Sequence, residues 1–364
     1  MPPGDRKPLR VLQSSADPTR SGSVNPYTAL LVASLPREEV RAEFFQWSAA
    51  LTSRYDVLHM HWPEHMVRSP SRLRQVVKSS AMGLLLLRLR LQDKAVVRTV
   101  HNVRPHEETG PVQNWLLDQL ESMTTTWVIL NDTTPTPDPS RTVLIPHGHY
   151  RDSYHPVPGI QPEPGRLLTF GLIRQYKGIE GLLNAFRRLP ESEGLSLFLA
   201  GRPDSAATRE GVSRIAGTDP RINLDLRFLD EPELTAGIQR AEMVVLPYRD
   251  MHNSGAALLA LSLNRPIIVP STPTTEQLVK EFGSEWVVTY DGELDDRILS
   301  TAIADVRARS RAVEGVDMHT RDWSVLGQQL AAVYRDAVSR RGSRSARRRA
   351  SRSVTPRPSA SPPP

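Results

Sequence analysis

A short apolar strand that stops on glycine, a loop carrying two cations, and an amphipathic helix that follows at once make up Arg166 to Leu189, and this stretch most limits what the chain can fold into. Leu167, Leu168 and Phe170 are closed by Gly171, and Ile179, Leu182, Leu183, Phe186 and Leu189 then recur at helical spacing. Such a junction presents unpaired backbone N–H groups and the positive end of a helix dipole, so an anion is stabilised there before any side chain acts. Arg174 and Lys177 add two full charges, while Gly171 and Gly178 allow a sharp turn and the close approach of a phosphate. Spacing alone leaves a plainer reading open, an αβ crossover whose two cations are solvated.

The run Gly171-Leu-Ile-Arg-Gln-Tyr-Lys-Gly178 resembles the opening of the C-terminal domain of GT-B glycosyltransferases, particularly those similar to bacterial family 4 (group 1). The resemblance implies an α/β fold class, GT-B, with two Rossmann-like domains facing across a cleft. It also implies that Arg174 and Lys177 hold the diphosphate of a nucleotide-sugar donor, with Gly171 and Gly201 at the neighbouring strand ends.

At 364 residues the chain is long enough for two domains with separate cores. It has no cysteine, which excludes a disulfide framework and a thiolate metal site. The N-terminus lacks a signal-like apolar core, and no run of about 18 apolar residues occurs. The expected setting is cytoplasmic, at the inner face of the membrane if the acceptor is lipid-linked. The charge of +6 comes from the end of the chain: Arg340 to Pro364 holds eight Arg and no acid, which leaves −2 for the rest. That terminal stretch is too poor in apolar residues to form a core and reads as a disordered basic tail. It lacks aromatic residues for base stacking, so contact with anionic lipid, or solubility, is expected and no specific nucleic acid.

In the N-terminal half, Leu9 to Ser14 reads as a strand, followed by a polar loop with Arg20, Gly22 and Asn25 and a helix from Thr28. Asn25 and Arg20 are candidates for acceptor contacts. Asp56 to Glu64 is a strand running into a loop, and a period of two puts His59 and His61 on one face. A two-histidine metal site lacks a third ligand nearby. Pro63 leaves Trp62 and Glu64 near the C-terminal strand end, where open α/β sheets bind ligands, so His61, Trp62 and Glu64 suit an acceptor pocket. Leu73 to Leu91 is a Leu-rich helix fringed by Arg and Lys; it reads as a crossover helix, or as one lying in a membrane interface. Ala95 to Asn102 is a buried strand ending in His101, which matches the His that the resembled enzymes place beside the donor sugar. His106, Glu107 and Glu108 follow and are candidates for the general base that takes the acceptor proton if the reaction inverts, and His101 and Glu107 are the expected catalytic residues.

In the C-terminal half, Met243 to Pro247 is a strand leading to Tyr248. The resembled family places two glutamates eight positions apart in the loop and helix that follow; here those positions hold Met251 and Leu259. Asn253, Ser254 and Gly255 instead open a helix suited to an anion, and Glu276 is the candidate for ribose contact. No Asp-x-Asp occurs, and the leaving diphosphate is expected to be neutralised without metal or cofactor. The expected organisation is a flexible stretch over 1–8, an acceptor domain over 9–157, a Pro-rich linker over 158–164, a donor domain over 165–321, a bridging helix over 322–339 and the tail over 340–364. The resemblance implies sugar transfer to a carbohydrate or lipid-linked acceptor in cell-surface or exopolysaccharide synthesis. A nucleotide-sugar epimerase of the same fold and an inactive GT-B binding module are the alternatives. A dinucleotide oxidoreductase is disfavoured, since no Gly-x-Gly-x-x-Gly follows the first strand.

Overall fold

The computed structural model describes residues 7–17, 26–101, 110–248, 251, 253–311 and 314–353. The chain divides into two compact units, one of residues 1–147 with 323–364 and the other of residues 148–322.

The first unit runs β1 (Leu9–Gln13), α1 (Pro26–Ala33), β2 (Val40–Phe44), α2 (Trp47–Thr52), β3 (Val57–Met60), α3 (Glu64–Val67), α4 (Arg72–Leu91), β4 (Ala95–Val100), α5 (Pro111–Met123), β5 (Thr126–Ile129) and β6 (Thr142–Leu144). All its strands are parallel, in the order β2-β1-β3-β4-β5-β6. Alternation along the strands divides the core. Val11, Val57, Val97 and Val128 bury one face, while Leu12, Leu58, Met60 and Val96 bury the other beneath Leu85, Leu89, Leu116 and Leu120 of α4 and α5.

The second unit runs β7 (Arg166–Phe170), α6 (Ile179–Arg188), β8 (Ser196–Ala200), α7 (Ala206–Ala216), β9 (Ile222–Asp225), α8 (Glu231–Arg240), β10 (Met243–Val245), α9 (Gly255–Ser262), β11 (Ile267–Pro270), α10 (Pro273–Phe282), β12 (Val287–Tyr290) and α11 (Asp296–Ala308). Its strand order, β12-β11-β10-β7-β8-β9, is again parallel throughout. Leu167, Leu197, Met243 and Ile268 face α6 and α11, while Leu168, Ala200, Val244 and Ile267 face α9. The chain then returns to the first unit as α12 (Trp323–Ser353), which buries Leu326, Leu330, Val333 and Tyr334 on the face carrying Val11 and Val97.

Two observed limits differ from those expected. The second unit begins at Gly148, because the stretch read as domain end and linker is strapped to it: Tyr150 N donates to Ser262 Oγ at 3.0 Å, Val157 N to Gln239 Oε1 at 2.7 Å, and Glu163 N to Arg240 O at 2.8 Å. The helix read as ending at 339, with a disordered tail beyond it, continues to Ser353. Arg and Ala are good helix formers, and Arg340 pairs with Asp336 one turn back while Arg341 pairs with Asp93 at 2.7 Å. No helix among the described residues is long and apolar enough to cross a membrane.

Candidate active site

Both sheets have a topological switch point, where consecutive connections leave a strand in opposite directions and the loops diverge to leave a crevice at the carboxyl ends. In the first unit it lies between β1 and β3, and in the second between β7 and β10.

In the second unit the loop after β7 folds as a 3₁₀ turn over Gln175–Lys177 and enters α6 through Gly178. Gly178 is left-handed at φ 64°, and a Cβ there would collide with the Pro247 carbonyl at the end of β10. The glycine therefore lets the two switch-point strands carry their loops into contact. Across that contact Lys177 Nζ donates to Tyr248 Oη at 3.2 Å and stands 4.6 Å from the centre of its ring. Burial, and then the like charge of Arg174, lowers the Lys177 ammonium to about 8. Burial likewise raises the Tyr248 hydroxyl, which stays neutral. Among the described residues no carboxylate pairs with Lys177. A half-buried cation with a neutral acceptor beside it is an incomplete electrostatic unit, and a phosphate would complete it.

The other residues expected on the donor side sit at the same sheet edge. Gly201 closes β8, where a Cβ would collide with the Gly171 carbonyl, so the loops after β7 and β8 pack backbone to backbone. Ser254 caps α9 by accepting from Ala257 N at 3.2 Å, with Asn253 just before it and Gly255 in the first turn. Space for a side chain at Gly255 is taken by the Tyr150 hydroxyl, a residue the sequence reading did not single out. Glu276 lies in the first turn of α10 and accepts from Ser271 Oγ at 3.0 Å. Met251 and Leu259, at the positions of the resembled family's glutamates, are both buried in the core.

In the first unit the switch point holds a chain of hydrogen bonds between uncharged groups. The period of two on β3 and β4 turns His59, His61, Thr99 and His101 to the α12 face. His59 joins Thr99 Oγ1 through Nε2 at 2.8 Å and Tyr334 Oη through Nδ1 at 2.7 Å. Gln13, the last residue of β1, donates from Nε2 to Tyr334 Oη at 2.9 Å, and its Oε1 lies 3.0 Å from His61 Nε2. His61 Nδ1 in turn lies 3.1 Å from His101 Nε2. Burial, reinforced by neighbouring imidazoles, holds His59 and His101 well below the usual range, and burial brings His61 down to about 3. All three rings are thus neutral near pH 7, each with one N–H.

With the Gln13 carboxamide assigned this way, the protons of His61 and His101 have one consistent arrangement. Gln13 Oε1 accepts from His61 Nε2, so His61 Nδ1 accepts from His101 Nε2, and Nδ1 of His101 is its proton-accepting atom. Aromatic rings hold His101 in place: Trp62 stacks on it at 4.0 Å between centroids, Tyr27 meets it edge-on at 5.2 Å, and Tyr27 also packs on His147 at 4.6 Å.

The structure thus brings together His61, Trp62 and His101 in one unit, and Gly171, Arg174, Lys177, Gly201 and Tyr248 at one edge of the other. Glu64 opens α3, and its charge acts on Arg98, which pairs with Glu121 and lies on the opposite face of β4 from Thr99. Asn25 and Glu107 lie outside the described residues. Gln13, Tyr27 and Tyr334 were missed, and only their final positions at strand ends or on apolar helices could have suggested them. No group of three or more His, Asp or Glu side chains that could hold a metal ion occurs among the described residues.

No family model matches the chain. It is 40% identical over 334 residues to the GDP-mannose:glycolipid 4-beta-D-mannosyltransferase of Xanthomonas campestris pv. campestris, an alignment covering 92% of this chain and 94% of that protein. Among solved structures, the catalytic domain of starch synthase IV from Arabidopsis thaliana matches with a TM-score of 0.64 at 11% identity, covering 91% of this chain and 100% of that one. Sucrose-phosphate synthase from Thermosynechococcus elongatus matches with a TM-score of 0.57 at 16% identity, covering 95% of this chain and 100% of that one. The structural likenesses carry the fold, and the sequence match carries the kinship. An identity of that level along nearly the whole of both chains means that this protein belongs to the glycosyltransferase family of the Xanthomonas mannosyltransferase, built on the GT-B fold.

Proposed function

We propose that the protein transfers mannose from GDP-mannose to a hydroxyl of a glycolipid, with inversion at the anomeric carbon. The observation that carries the donor reading is Lys177, a half-buried cation at the switch point with no carboxylate partner among the described residues, beside Arg174 and the start of α6. The β product named for the Xanthomonas relative supports a single inverting displacement, because GDP-mannose carries its sugar α-linked. Loss of the glutamate pair at Met251 and Leu259 fits the same reading. In this scheme the acceptor oxygen attacks C1 as its proton passes to His101 Nδ1, Trp62 stacks on an acceptor sugar, and the C1–O bond to the diphosphate breaks with its charge received by Arg174 and Lys177. These cations and the helix start supply the counter-charge, so transfer is expected to proceed in EDTA. A glycolipid acceptor lies in a membrane, and the reading includes peripheral contact with an anionic bilayer at its cytoplasmic face.

The test is incubation with GDP-, UDP-, ADP- and dTDP-sugars and a lipid-linked oligosaccharide, followed by NMR of the product anomeric centre. The expected result is a β-mannoside formed from GDP-mannose. An α product overturns inversion, a rearranged nucleotide sugar without acceptor supports an epimerase, and failure to bind any nucleotide supports an inactive module.

A further inference from the structure

Helix α4 is apolar on two opposite sides, and only one of them has a partner among the described residues. Met82, Leu85, Leu86 and Leu89 are buried in the first unit, whereas Leu73, Val77, Leu84, Leu87 and Leu91 form a strip at helical spacing with exposures of 54% to 76%. A contiguous exposed apolar strip of this kind marks an interaction surface. Helix α5 widens it. Val112, Trp115 and Gln119 share one flank of α5 at positions i, i+3 and i+7, and Gln119 Oε1 accepts from Arg90 Nη2 of α4 at 2.6 Å, so that flank runs beside the strip. Val112 and Trp115 are 59% and 58% exposed.

The charge identifies the occupant. α4 carries five Arg and Lys and no Asp or Glu. Lys78 and Arg88 are spent on backbone carbonyls, Lys78 Nζ donating to Arg68 O at 2.8 Å and Arg88 Nη1 to Ala50 O at 2.8 Å. Arg72, Arg74 and Arg90 are exposed on the two flanks of the strip. Apolar residues along the centre, arginines on either side and an exposed tryptophan match the boundary between acyl chains and anionic headgroups. A two-fold contact with a second copy would instead bring these arginines toward their own counterparts.

We propose that the outer strip of α4, with Val112 and Trp115 of α5, is the surface by which this protein docks on an anionic lipid bilayer. The strip enters the interfacial layer and the flanking arginines meet lipid phosphates. The inference deepens the membrane contact of the proposed function, but its readout is lipid binding, which needs neither donor nor turnover.

The test is co-sedimentation of the full chain with vesicles of phosphatidylcholine and phosphatidylglycerol, in low salt and in about 1 M salt, where the screening length is only about 3 Å. The second condition removes purely electrostatic attraction by the Arg-rich C-terminus. Wild type is expected to stay bound in high salt, and the exposed double variant Leu84→Ser/Leu87→Ser to partition about tenfold less well, with unchanged thermal stability and nucleotide binding. The blue shift of tryptophan emission on vesicle addition is expected to shrink in Trp115→Phe. Equal high-salt sedimentation of wild type and double variant overturns the proposal, as does failure of wild type to bind these vesicles. A wild-type dimer that the double variant converts to monomer, with lipid binding unchanged, assigns the strip to a second copy instead.

Discussion

The two units solve one topological problem with opposite electrostatics. Each is a six-stranded parallel sheet whose loops part at a switch point, and each packs polar side chains there. The first unit fills the place with neutral rings, a carboxamide and hydroxyls that satisfy one another in sequence. The second places a cation there with only a tyrosine to lean on. Burial acts on both, with different consequences. It keeps the histidines uncharged near neutral pH and opposes their protonation, and it disfavours the charge on Lys177. The first cluster is satisfied within its unit, and in the proposed reading the second is completed by the donor diphosphate.

The sharpest way to separate them is to remove one group from each. Lys177→Ala is expected to lower kcat/KM by about a thousandfold, the scale of losing one preorganised group that receives transition-state charge, and to weaken nucleotide binding by at least about tenfold. His101→Ala is expected to lower kcat by about a hundredfold to ten-thousandfold, the range for a positioned acid or base, and to leave the nucleotide Kd unchanged. Titration calorimetry with the nucleotide alone reads the difference. If His101→Ala weakens nucleotide binding as much as Lys177→Ala does, the division of labour is wrong.

A smaller effect tests whether the first cluster is held neutral. A histidine whose folded pKa lies below its unfolded value near 6.5 is protonated first in the unfolded chain, so folding loses stability as the pH falls below about 6.5. For His61 that loss continues down to about pH 3. Each such histidine removes up to about 1.4 kcal/mol per pH unit, or about 2 kcal/mol between pH 6.5 and 5. Denaturant unfolding followed through the first unit should show this slope, and His59→Gln should reduce it. A stability independent of pH over that range would mean that the rings take up protons in the folded protein as readily as in the unfolded chain.

How much of this was legible in the sequence depends on whether neighbours along the chain are neighbours in space. The loop from Gly171 to Gly178 is a contiguous motif whose strand, glycines, cations and helix were read close to where they stand. His59 and His61 share a face because strand alternation requires it, and the ring centroids lie 4.3 Å apart. The partners that decide the protonation of His101 were out of reach. Gln13 and Tyr334 are 321 residues apart, and Tyr334 follows the apolar spacing of a helix that looks merely packed. The strand Val40–Phe44 also went unread, since at the sheet edge Arg41 and Glu43 point outward and dilute the apolar signal. Helix α4 was ambiguous for a clearer reason: with two apolar sides, its composition fits a buried crossover helix and an interfacial one equally well.

The smallest expected effect concerns the proton on Lys177. With its ammonium lowered to about 8, roughly half of the free protein carries a neutral Lys177 at that pH. A diphosphate beside it favours the charged form and raises the value again. Binding at pH 8 should therefore take up about half a proton from the buffer, while binding at pH 6, where Lys177 is already charged, should take up almost none. Calorimetry in two buffers of different ionisation enthalpy measures that uptake directly. Lys177→Arg retains the charge and has no proton to gain, so its binding enthalpy should be independent of the buffer at both pH values. A wild-type enthalpy with the same independence at pH 8 would show that Lys177 is fully charged before the donor arrives, and the contrast between a self-contained site and a ligand-completed one would then rest on Arg174 and the helix start alone.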